Sequence, residues 1–427
     1  MKFIVRRSSL QGTVQIPGNK SATARAIVLG GLAVGVSRVT NPLPGLDSFS
    51  IVRMMEALGA KIDTSNPNEW TFEGVGNKPR VPGCVLDAGN SGTGYYILTA
   101  VASLIDGYSV ITGDEQICRR PAQPLIDALN DLGAHVFSTR NLGVAPLVIK
   151  GPLKGGTTKL PGINSQWLTP LLIAGALTPE GVTVIEDNLM ERPYIDMTIH
   201  WMKLAGATCT HKNYEEFYVP GNQSYKAFIA HIPADWGSAG YPMIGAAITD
   251  SKVTFVGMDP NDFAGERRYP YILKEMGAKV TFEEGGTVVT VEGGSELNGI
   301  EIDCSDTPDA VPILAVLGCR AKGKTVLRNI GASRLKETDR TRSIREELTK
   351  MGARLEETAD TLTIYPSTLK GAKIDGRHDH RIVMATAIAG LVAEGETEIS
   401  DAEYCKVSFP NFFELMKSLG AKIDLVP

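Results

Sequence analysis

Basic side chains stand where helical patterns begin, an arrangement that favours binding of a small anion. The segment PGNKSATARA supplies Lys20, Ser21 and Arg25, and its Pro-Gly turn delivers the lysine to a predicted helix start. The backbone N–H groups and the positive dipole end of a helix face whatever lies before its first turn. A lysine near a helix start is usually a surface residue, so this motif by itself is weak.

A glycine-rich loop, LDAGNSGT at residues 86–93, precedes a second predicted helix. Gly89 and Gly92 flank Asn90 and Ser91. Such a loop can turn its N–H groups inward as an anion-binding nest, and glycine leaves no side chain to block close approach. Taken alone, the loop is explained equally well as a turn before a buried helix.

Four further segments place polar and charged groups in comparable loops. They are CRRP (118–121), NSQW (164–167), ERPYID (191–196) and HDHR (378–381). Several arginines drawn from separate loops would suit a ligand that carries more than one negative charge. Solvated loop charges on a repeat protein are the alternative interpretation.

The segment SRLKETDR is predicted to place Lys336, Glu337 and Arg340 within one helical turn. Like charges four residues apart oppose a helix by roughly 0.2–0.5 kcal/mol, so this pair suggests an anion bound between them. Asp309 lies in SDTPDA, in the loop that opens a buried helix, and could act as a general base.

One pattern recurs six times and predicts the elements that position these residues. An apolar helical run ends in a glycine, and a short apolar stretch follows, as in MMEALGAKI and ELMKSLGAKI. Such a glycine suits the left-handed position that ends a helix. The spacings between successive copies are 68 to 75 residues, and the glycines are Gly59, Gly133, Gly206, Gly277, Gly352 and Gly420.

Each copy also contains a second helix that is apolar around most of its circumference, and a short alternating strand lies between the two helices. ARAIVLGGLAVG and VPILAVLGCRAKG are examples of the helix, which should be interior. SRVTN and YSVIT are examples of the strand. The chain is therefore predicted to be a repeated α/β protein with mixed strands.

Composition excludes several classes of protein. The 427 residues are 43% hydrophobic and 21% charged, which indicates a folded globular chain. The formal charge of -5 argues against a polycation that coats nucleic acid or a membrane. No secretory signal or long apolar run is evident. The six cysteines have no metal-ligand spacing and are interpreted as reduced thiols of a cytoplasmic protein.

The ordered motifs PGxKS, GNSGT, RRP, SQ, PDA, KETDR, DHR and SFPNFF resemble the 5-enolpyruvylshikimate-3-phosphate synthase family along the whole chain, and KETDR followed by DHR is the most specific part. The resemblance implies a two-domain inside-out α/β barrel built from six βαβαββ-type repeats. The expected domains are residues 1–17 plus 234–427, and residues 18–233. It implies an enolpyruvyl (1-carboxyvinyl) transferase that works as a monomer without metal or cofactor.

The family reaction moves the enolpyruvyl group of phosphoenolpyruvate to the 5-hydroxyl of shikimate 3-phosphate and releases phosphate. By resemblance, the phosphoenolpyruvate site would comprise Lys20, Gly92, Arg120, Gln166, Arg340, Arg381 and Lys406. The acceptor site would comprise Ser21, Arg25, Asn164, Ser165, Tyr194, Asp309 and Lys336. The catalytic groups would be Lys20, Asp309, Glu337 and His380, with Asp309 as the base toward the hydroxyl and Lys20 with Glu337 exchanging the proton at the methylene carbon.

Several positions depart from the family pattern, mostly on the acceptor side. Asn164 replaces the first serine of a Ser-Ser-Gln triplet, Glu191 replaces a serine that contacts phosphate, and Val407 replaces a lysine that Lys406 precedes by one place. A carboxylate beside a phosphate would repel it. Two hypotheses therefore stay open: the family reaction with compensating loops, or enolpyruvyl transfer to a different cyclic hydroxyl acceptor that lacks the phosphate. A binding or scaffold role without catalysis is a third.

Overall fold

The computed structural model describes residues 1–427, which divide into two compact units. The discontinuous unit contains Met1–Pro17 and Pro233–Pro427, and the inserted unit contains Gly18–Ile232. The inserted unit has helices α1 (Lys20–Leu32), α2 (Leu46–Ala57), α3 (Gly92–Ala102), α4 (Gln123–Asp131), α5 (Ser165–Gly175) and α6 (Arg192–Leu204). The discontinuous unit has α7 (Trp236–Ile248), α8 (Tyr269–Glu275), α9 (Val311–Cys319), α10 (Arg340–Lys350), α11 (His380–Gly390) and α12 (Phe412–Ser418).

Every strand belongs to a four-stranded mixed sheet, three in each unit. The strands of the inserted unit are β3 (Val36–Thr40), β4 (Lys61–Asp63), β5 (Glu69–Glu73), β6 (Leu86–Asp87), β7 (Tyr108–Thr112), β8 (His135–Ser138), β9 (Leu147–Lys150), β10 (Gly156–Pro161), β11 (Val182–Asp187), β12 (Thr210–Lys212), β13 (Glu216–Val219) and β14 (Ile229–His231). Their orders are β14-β3-β5-β4, β6-β7-β9-β8 and β10-β11-β13-β12.

The discontinuous unit repeats this arrangement. Its strands are β1 (Lys2–Arg6), β2 (Gln11–Gln15), β15 (Lys252–Val256), β16 (Lys279–Glu283), β17 (Val288–Glu292), β18 (Glu301–Asp303), β19 (Thr325–Arg328), β20 (Leu355–Glu357), β21 (Thr361–Ile364), β22 (Lys373–Ile374), β23 (Glu396–Ser400) and β24 (Lys422–Val426). Their orders are β16-β17-β15-β2, β18-β19-β21-β20 and β22-β23-β1-β24. In all six sheets one outer pair is parallel and the other two pairs are antiparallel.

Three strands join sheets whose other members are distant in sequence. Strand β14 pairs with β3, and β2 pairs with β15, both in parallel. Strand β1 lies between β23 and β24 and is antiparallel to both, with Phe3 opposite Ile399 on one side and Leu425 on the other. The repeat pattern in the sequence predicted the elements but not which strands pair.

The apolar helices predicted to be interior are confirmed. Every residue of α7 and of α9 is buried, and α1, α3, α5 and α11 expose almost nothing. Small residues let neighbouring backbones come close: a Cβ on Gly240 would lie 2.3 Å from the Tyr269 ring. None of the helices is both long and apolar enough to cross a membrane.

The glycine that ends each repeated helix is in the left-handed region, as predicted. The φ angles are 106°, 93°, 84°, 102°, 88° and 95° for Gly59, Gly133, Gly206, Gly277, Gly352 and Gly420. A residue with a Cβ is strained in this conformation, which explains why glycine recurs in all six copies. The six copies thus share a local backbone requirement as well as a sequence.

We expect Gly352→Ala to lower the free energy of unfolding by about 1 kcal/mol, because its φ is 88° while no atom lies closer than 3.7 Å to the added Cβ. Gly83→Ala is the control, since that glycine has no positive φ and open space around it. Urea unfolding of both variants measures the effect. Equal stability of the two variants would contradict the backbone explanation.

Candidate active site

Polar groups of the inserted unit gather where helices α1, α3, α5 and α6 begin. Asn19 caps α1 by accepting a hydrogen bond from the Ala22 N–H at 2.8 Å, which fixes Lys20 as the first helical residue. The Lys20 Nζ lies 3.1 Å from an Asp47 carboxylate oxygen, and both side chains are largely buried. Asp47 was not predicted as a site residue, although the first turn of a helix, where it lies in α2, favours an acid.

Arg25 is a buried cation whose hydrogen-bond acceptors are all neutral. Its guanidinium donates to the Thr198 hydroxyl and to the carbonyls of Ser21 and Tyr194, each at 2.9 Å. Burial lowers the pKa of Arg25 to about 10. A buried charge without an opposite charge is costly, so this position favours an anion nearby.

Arg120 lies directly against the glycine loop. Gly92 is the first residue of α3, and a Cβ there would come within 1.6 Å of the Arg120 Nη1. Arg120 is only 4% exposed. Its guanidinium can occupy this place because Gly92 has no side chain. Gln166 joins the group from α5 by donating to the Thr93 hydroxyl at 3.1 Å.

A carboxylate of the chain itself lies on the first turn of α5. Asn164 caps this helix, and the Ser165 N–H and hydroxyl both donate to Glu191, at 2.9 and 2.7 Å. Glu191 is 1% exposed and has a φ of 58°, a conformation that a non-glycine residue rarely adopts. The Ser165 N–H and hydroxyl thus bind an anionic group, and this group is the Glu191 carboxylate from the loop before α6.

Charged groups of the discontinuous unit gather around Arg340. Its Nε lies 2.9 Å from Asp379, its Nη1 lies 2.8 Å from Asp309, and its Nη2 donates to Glu337. Asp379 also caps α11 by accepting from the Arg381 N–H at 2.9 Å. The fully buried Arg340 is therefore surrounded by three carboxylates drawn from three loops.

Asp309 pairs with several cations at once. Besides Arg340, its carboxylate lies 3.5 Å from the Arg381 Nη2 and 4.0 Å from the Lys336 Nζ. Burial by itself would raise the pKa of Asp309, but the Arg340, Lys336 and Arg381 charges outweigh burial and hold the pKa well below its ordinary value. The group is therefore ionised, and in this state it is a weak base.

The segment before α10 corrects one prediction. Lys336, Glu337 and Arg340 do not share a helical turn: a 3-10 helix ends at Leu335, and α10 begins at Arg340. The helix starts late because Asp339 caps it, accepting from the Arg342 N–H at 3.0 Å. Repulsion at helical spacing is thus not the reason for these charges, because Asp309 contacts Lys336 and Arg340 and compensates both.

Three further observations concern residues of this unit. Lys406 is exposed and makes no hydrogen bond or ion pair, while the neighbouring Val407 is buried. His380 is buried at the first position of α11. Glu266 was missed by the sequence analysis: burial raises its pKa to about 8, and the charge of Asp309 adds to this effect. Its position in GERRYP gave no indication beyond that of a loop before a helix.

The similarity of this chain to known proteins extends over nearly its whole length. The family model for EPSP synthase (3-phosphoshikimate 1-carboxyvinyltransferase) matches residues 4–416. The chain belongs to the EPSP synthase family.

Several known proteins are similar to this chain over almost its whole length. A 3-phosphoshikimate 1-carboxyvinyltransferase of Acetivibrio thermocellus is 45% identical over 424 residues, which are 99% of either chain. One of Methanocella arvoryzae is 43% identical over 423 residues, again 99% of either chain. The structure of an EPSP synthase from Acinetobacter baumannii has a TM-score of 0.83 at 29% identity, with all of both chains covered.

The candidate residues of this EPSP synthase family member fall into two groups, one in each unit. The inserted unit contributes Lys20, Ser21, Arg25, Gly92, Arg120, Asn164, Ser165, Gln166 and Tyr194. The discontinuous unit contributes Asp309, Lys336, Glu337, Arg340, His380, Arg381 and Lys406. Lys20 contacts Asp47 within the inserted unit, and Arg340 contacts Asp309, Glu337 and Asp379 within the discontinuous unit.

We expect Asp309→Asn to lower the free energy of unfolding by about 2–3 kcal/mol near pH 7, because it removes a charge that compensates Arg340 and Arg381. A carboxylate with a lowered pKa stabilises the fold above its unfolded pKa, and this contribution is lost as pH falls toward the folded pKa. The difference between the variant and the unmodified chain should therefore be constant from about pH 5 to 8 and shrink below about pH 4.

Urea unfolding across this pH range measures the difference, with Asp106→Asn as the control because Asp106 is exposed and unpaired. A difference that grows as the pH falls would contradict the assigned direction of the pKa shift.

Proposed function

We propose that this chain transfers the carboxyvinyl group of phosphoenolpyruvate to the 5-hydroxyl of shikimate 3-phosphate and releases phosphate. The observation that carries the proposal is the full-length similarity to proteins named 3-phosphoshikimate 1-carboxyvinyltransferase, at 45% identity in one case. The buried arginines Arg25, Arg120, Arg340 and Arg381 support it, since both substrates are anionic. The proposal includes action without a metal or an organic cofactor.

In the proposed reaction, the methylene carbon of phosphoenolpyruvate takes up a proton and the acceptor oxygen forms a bond to its second carbon. The tetrahedral adduct then loses phosphate, and a proton leaves the methyl group so that the double bond is restored. We assign the proton exchange to Lys20 and Glu337, with His380 beside them in the motif. Arg120, Gln166, Arg340 and Arg381 would bind the departing phosphate and the carboxylate, as electrostatic stabilisation requires.

Asp309 is proposed as the base toward the acceptor hydroxyl, and its environment explains how it could change strength. While Arg340 and Arg381 pair with it, the pKa of Asp309 is too low for efficient proton uptake. Anionic substrate groups that bind these arginines would offset their charge, which would raise the pKa of Asp309. Binding and activation of the base would then be the same event.

The acceptor site is proposed at Ser21, Arg25, Asn164, Ser165, Tyr194 and Lys336, and the donor site also includes Gly92 and Lys406. Arg25 has no carboxylate partner, which supports an anionic acceptor there. We further propose that residues 1–17 plus 234–427 and residues 18–233 are the two domains of an inside-out α/β barrel. A cytoplasmic monomer belongs to the same proposal and is consistent with six unpaired cysteines.

Steady-state phosphate release tests the proposed reaction. The chain should turn over phosphoenolpyruvate with shikimate 3-phosphate and show at least about a hundredfold lower kcat/KM with unphosphorylated shikimate, because the lost phosphate contacts include charge-assisted hydrogen bonds. Product identity is checked by mass spectrometry. Equal or better turnover of shikimate would reject the phosphorylated acceptor and favour the alternative acceptor.

We expect Glu191→Ser to lower the KM for shikimate 3-phosphate about tenfold while the KM for phosphoenolpyruvate changes little. Glu191 occupies both Ser165 donors, so an acceptor phosphate at Ser165 must displace this carboxylate. Glu191→Gln, which removes the charge but keeps the size, should give part of the gain, and Glu215→Gln at an exposed position is the control. A higher KM for shikimate 3-phosphate in Glu191→Ser would show that Glu191 assists binding.

A further inference from the structure

Glu186 is a buried carboxyl group without a partner. It is 5% exposed, it makes no ion pair, and its Oε2 is buried without a hydrogen bond. It ends the inward face of β11, on which Val182 and Val184 precede it. A strand pattern would place another apolar residue here, and an unsatisfied buried carboxyl costs stability. The position therefore has a cost that packing does not explain.

Glu186 is one of the residues that line a cavity of about 550 Å³. The cavity is lined by the segment 185–189 with Arg192 on one side and by the hairpin turn 212–216 on the other. All of these residues belong to the inserted unit. The cavity is large enough for a small organic molecule and is separate from the hydrogen bonds of Glu191 to Ser165 described above.

The wall formed by the hairpin is held in a fixed shape. Asn213 and Tyr214 have φ angles of 52° and 60°, and the Glu215 N–H donates to the Lys212 carbonyl at 2.9 Å, which closes a tight turn within the three-residue loop 213–215. The Tyr214 hydroxyl contacts Asp196 of α6 at 2.9 Å. The hairpin wall of the cavity is thus tied to α6 through Tyr214.

The charges that face the cavity favour a cation. Besides Glu186, its lining includes the acids Asp187, Glu215 and Glu216, against the bases Arg192 and Lys212. The Arg192 guanidinium already lies 5.4 Å from the centre of the Tyr214 ring, which shows that this aromatic face accepts a guanidinium. No group of three or more metal-ligating side chains is present, so the donors suit an organic cation better than a metal ion.

We propose that this cavity binds a small organic cation, a guanidinium or a protonated amine, which donates hydrogen bonds to the Glu186 carboxylate and lies near the Tyr214 ring. The ligand would supply the partner that the buried carboxyl group lacks. The site would be a second ligand site of the chain, and it does not depend on the proposed transferase activity.

Binding of a cation should release a proton from Glu186. Burial raises the pKa of Glu186 to about 8, so the free chain holds the group protonated at pH 7. A bound cation lowers that pKa and releases the proton. The other charged groups that face the cavity are Asp187, Arg192, Lys212, Glu215 and Glu216, and none of them is buried.

Isothermal titration calorimetry with n-butylguanidinium tests the site in the full chain at pH 7, in two buffers of different ionisation enthalpy. We expect one ligand per chain and release of close to one proton. Neutral n-butylurea, which has a similar shape, should bind at least about tenfold more weakly, because a hydrogen bond to a charged group contributes roughly 1.5–3 kcal/mol. Both measurements use the unmodified chain and do not require a folded variant.

Glu186→Gln should weaken n-butylguanidinium binding about tenfold or more and abolish the proton release, since it keeps the size of the side chain but cannot ionise. Glu180→Gln, the same substitution at an exposed glutamate outside the cavity lining, is the matched control and should bind within about threefold of the unmodified chain. Absence of binding to the unmodified chain, equal binding of n-butylurea, or unchanged affinity in Glu186→Gln would overturn the proposal.

Discussion

Compensation of buried positive charge is the constraint on which both clusters depend. Arg340 is fully buried and is held by Asp309, Asp379 and Glu337, while Arg25 is equally enclosed but contacts only neutral oxygens. A buried guanidinium must be paired, either by the chain or by what the chain binds. The first cluster is therefore balanced by carboxylates of the chain itself, whereas the Arg25 guanidinium hydrogen-bonds to no carboxylate.

The helix starts are a second source of positive charge beside these clusters. Asn19, Asn164, Asp379 and Asp339 cap α1, α5, α11 and α10, which fixes the first turn of each helix beside a cationic or hydroxyl side chain. Because the caps satisfy only some of the terminal N–H groups, the remaining dipole reinforces the cations. Glu191 illustrates this preference, since its carboxylate is itself drawn to the start of α5.

A backbone conformation required at a single position was predictable from the sequence, and contacts between side chains were not. The glycines that end helices could be predicted because a positive φ restricts the residue type at one position. The spacing of Lys336 and Arg340 was interpreted as helical because the capping role of Asp339 depends on geometry that a charge pattern does not reveal. Asp47 and Glu266 were missed since an acid is recognised as a partner only when its cation is near in space. Glu186 interrupts an alternating apolar strand, and that interruption was visible in the sequence.

The position of β1 has a consequence for how the protein forms during synthesis. Lys2–Arg6 is an interior strand of a sheet whose other members are the last three strands of the chain. Lys2–Arg6 therefore waits for strands that are made much later, while the inserted unit can complete its three sheets once Ile229–His231 has emerged. Loss of Lys2–Arg6 would open a gap in the middle of its sheet, and the damage would appear at Glu396–Ser400 and Lys422–Val426, far away in sequence.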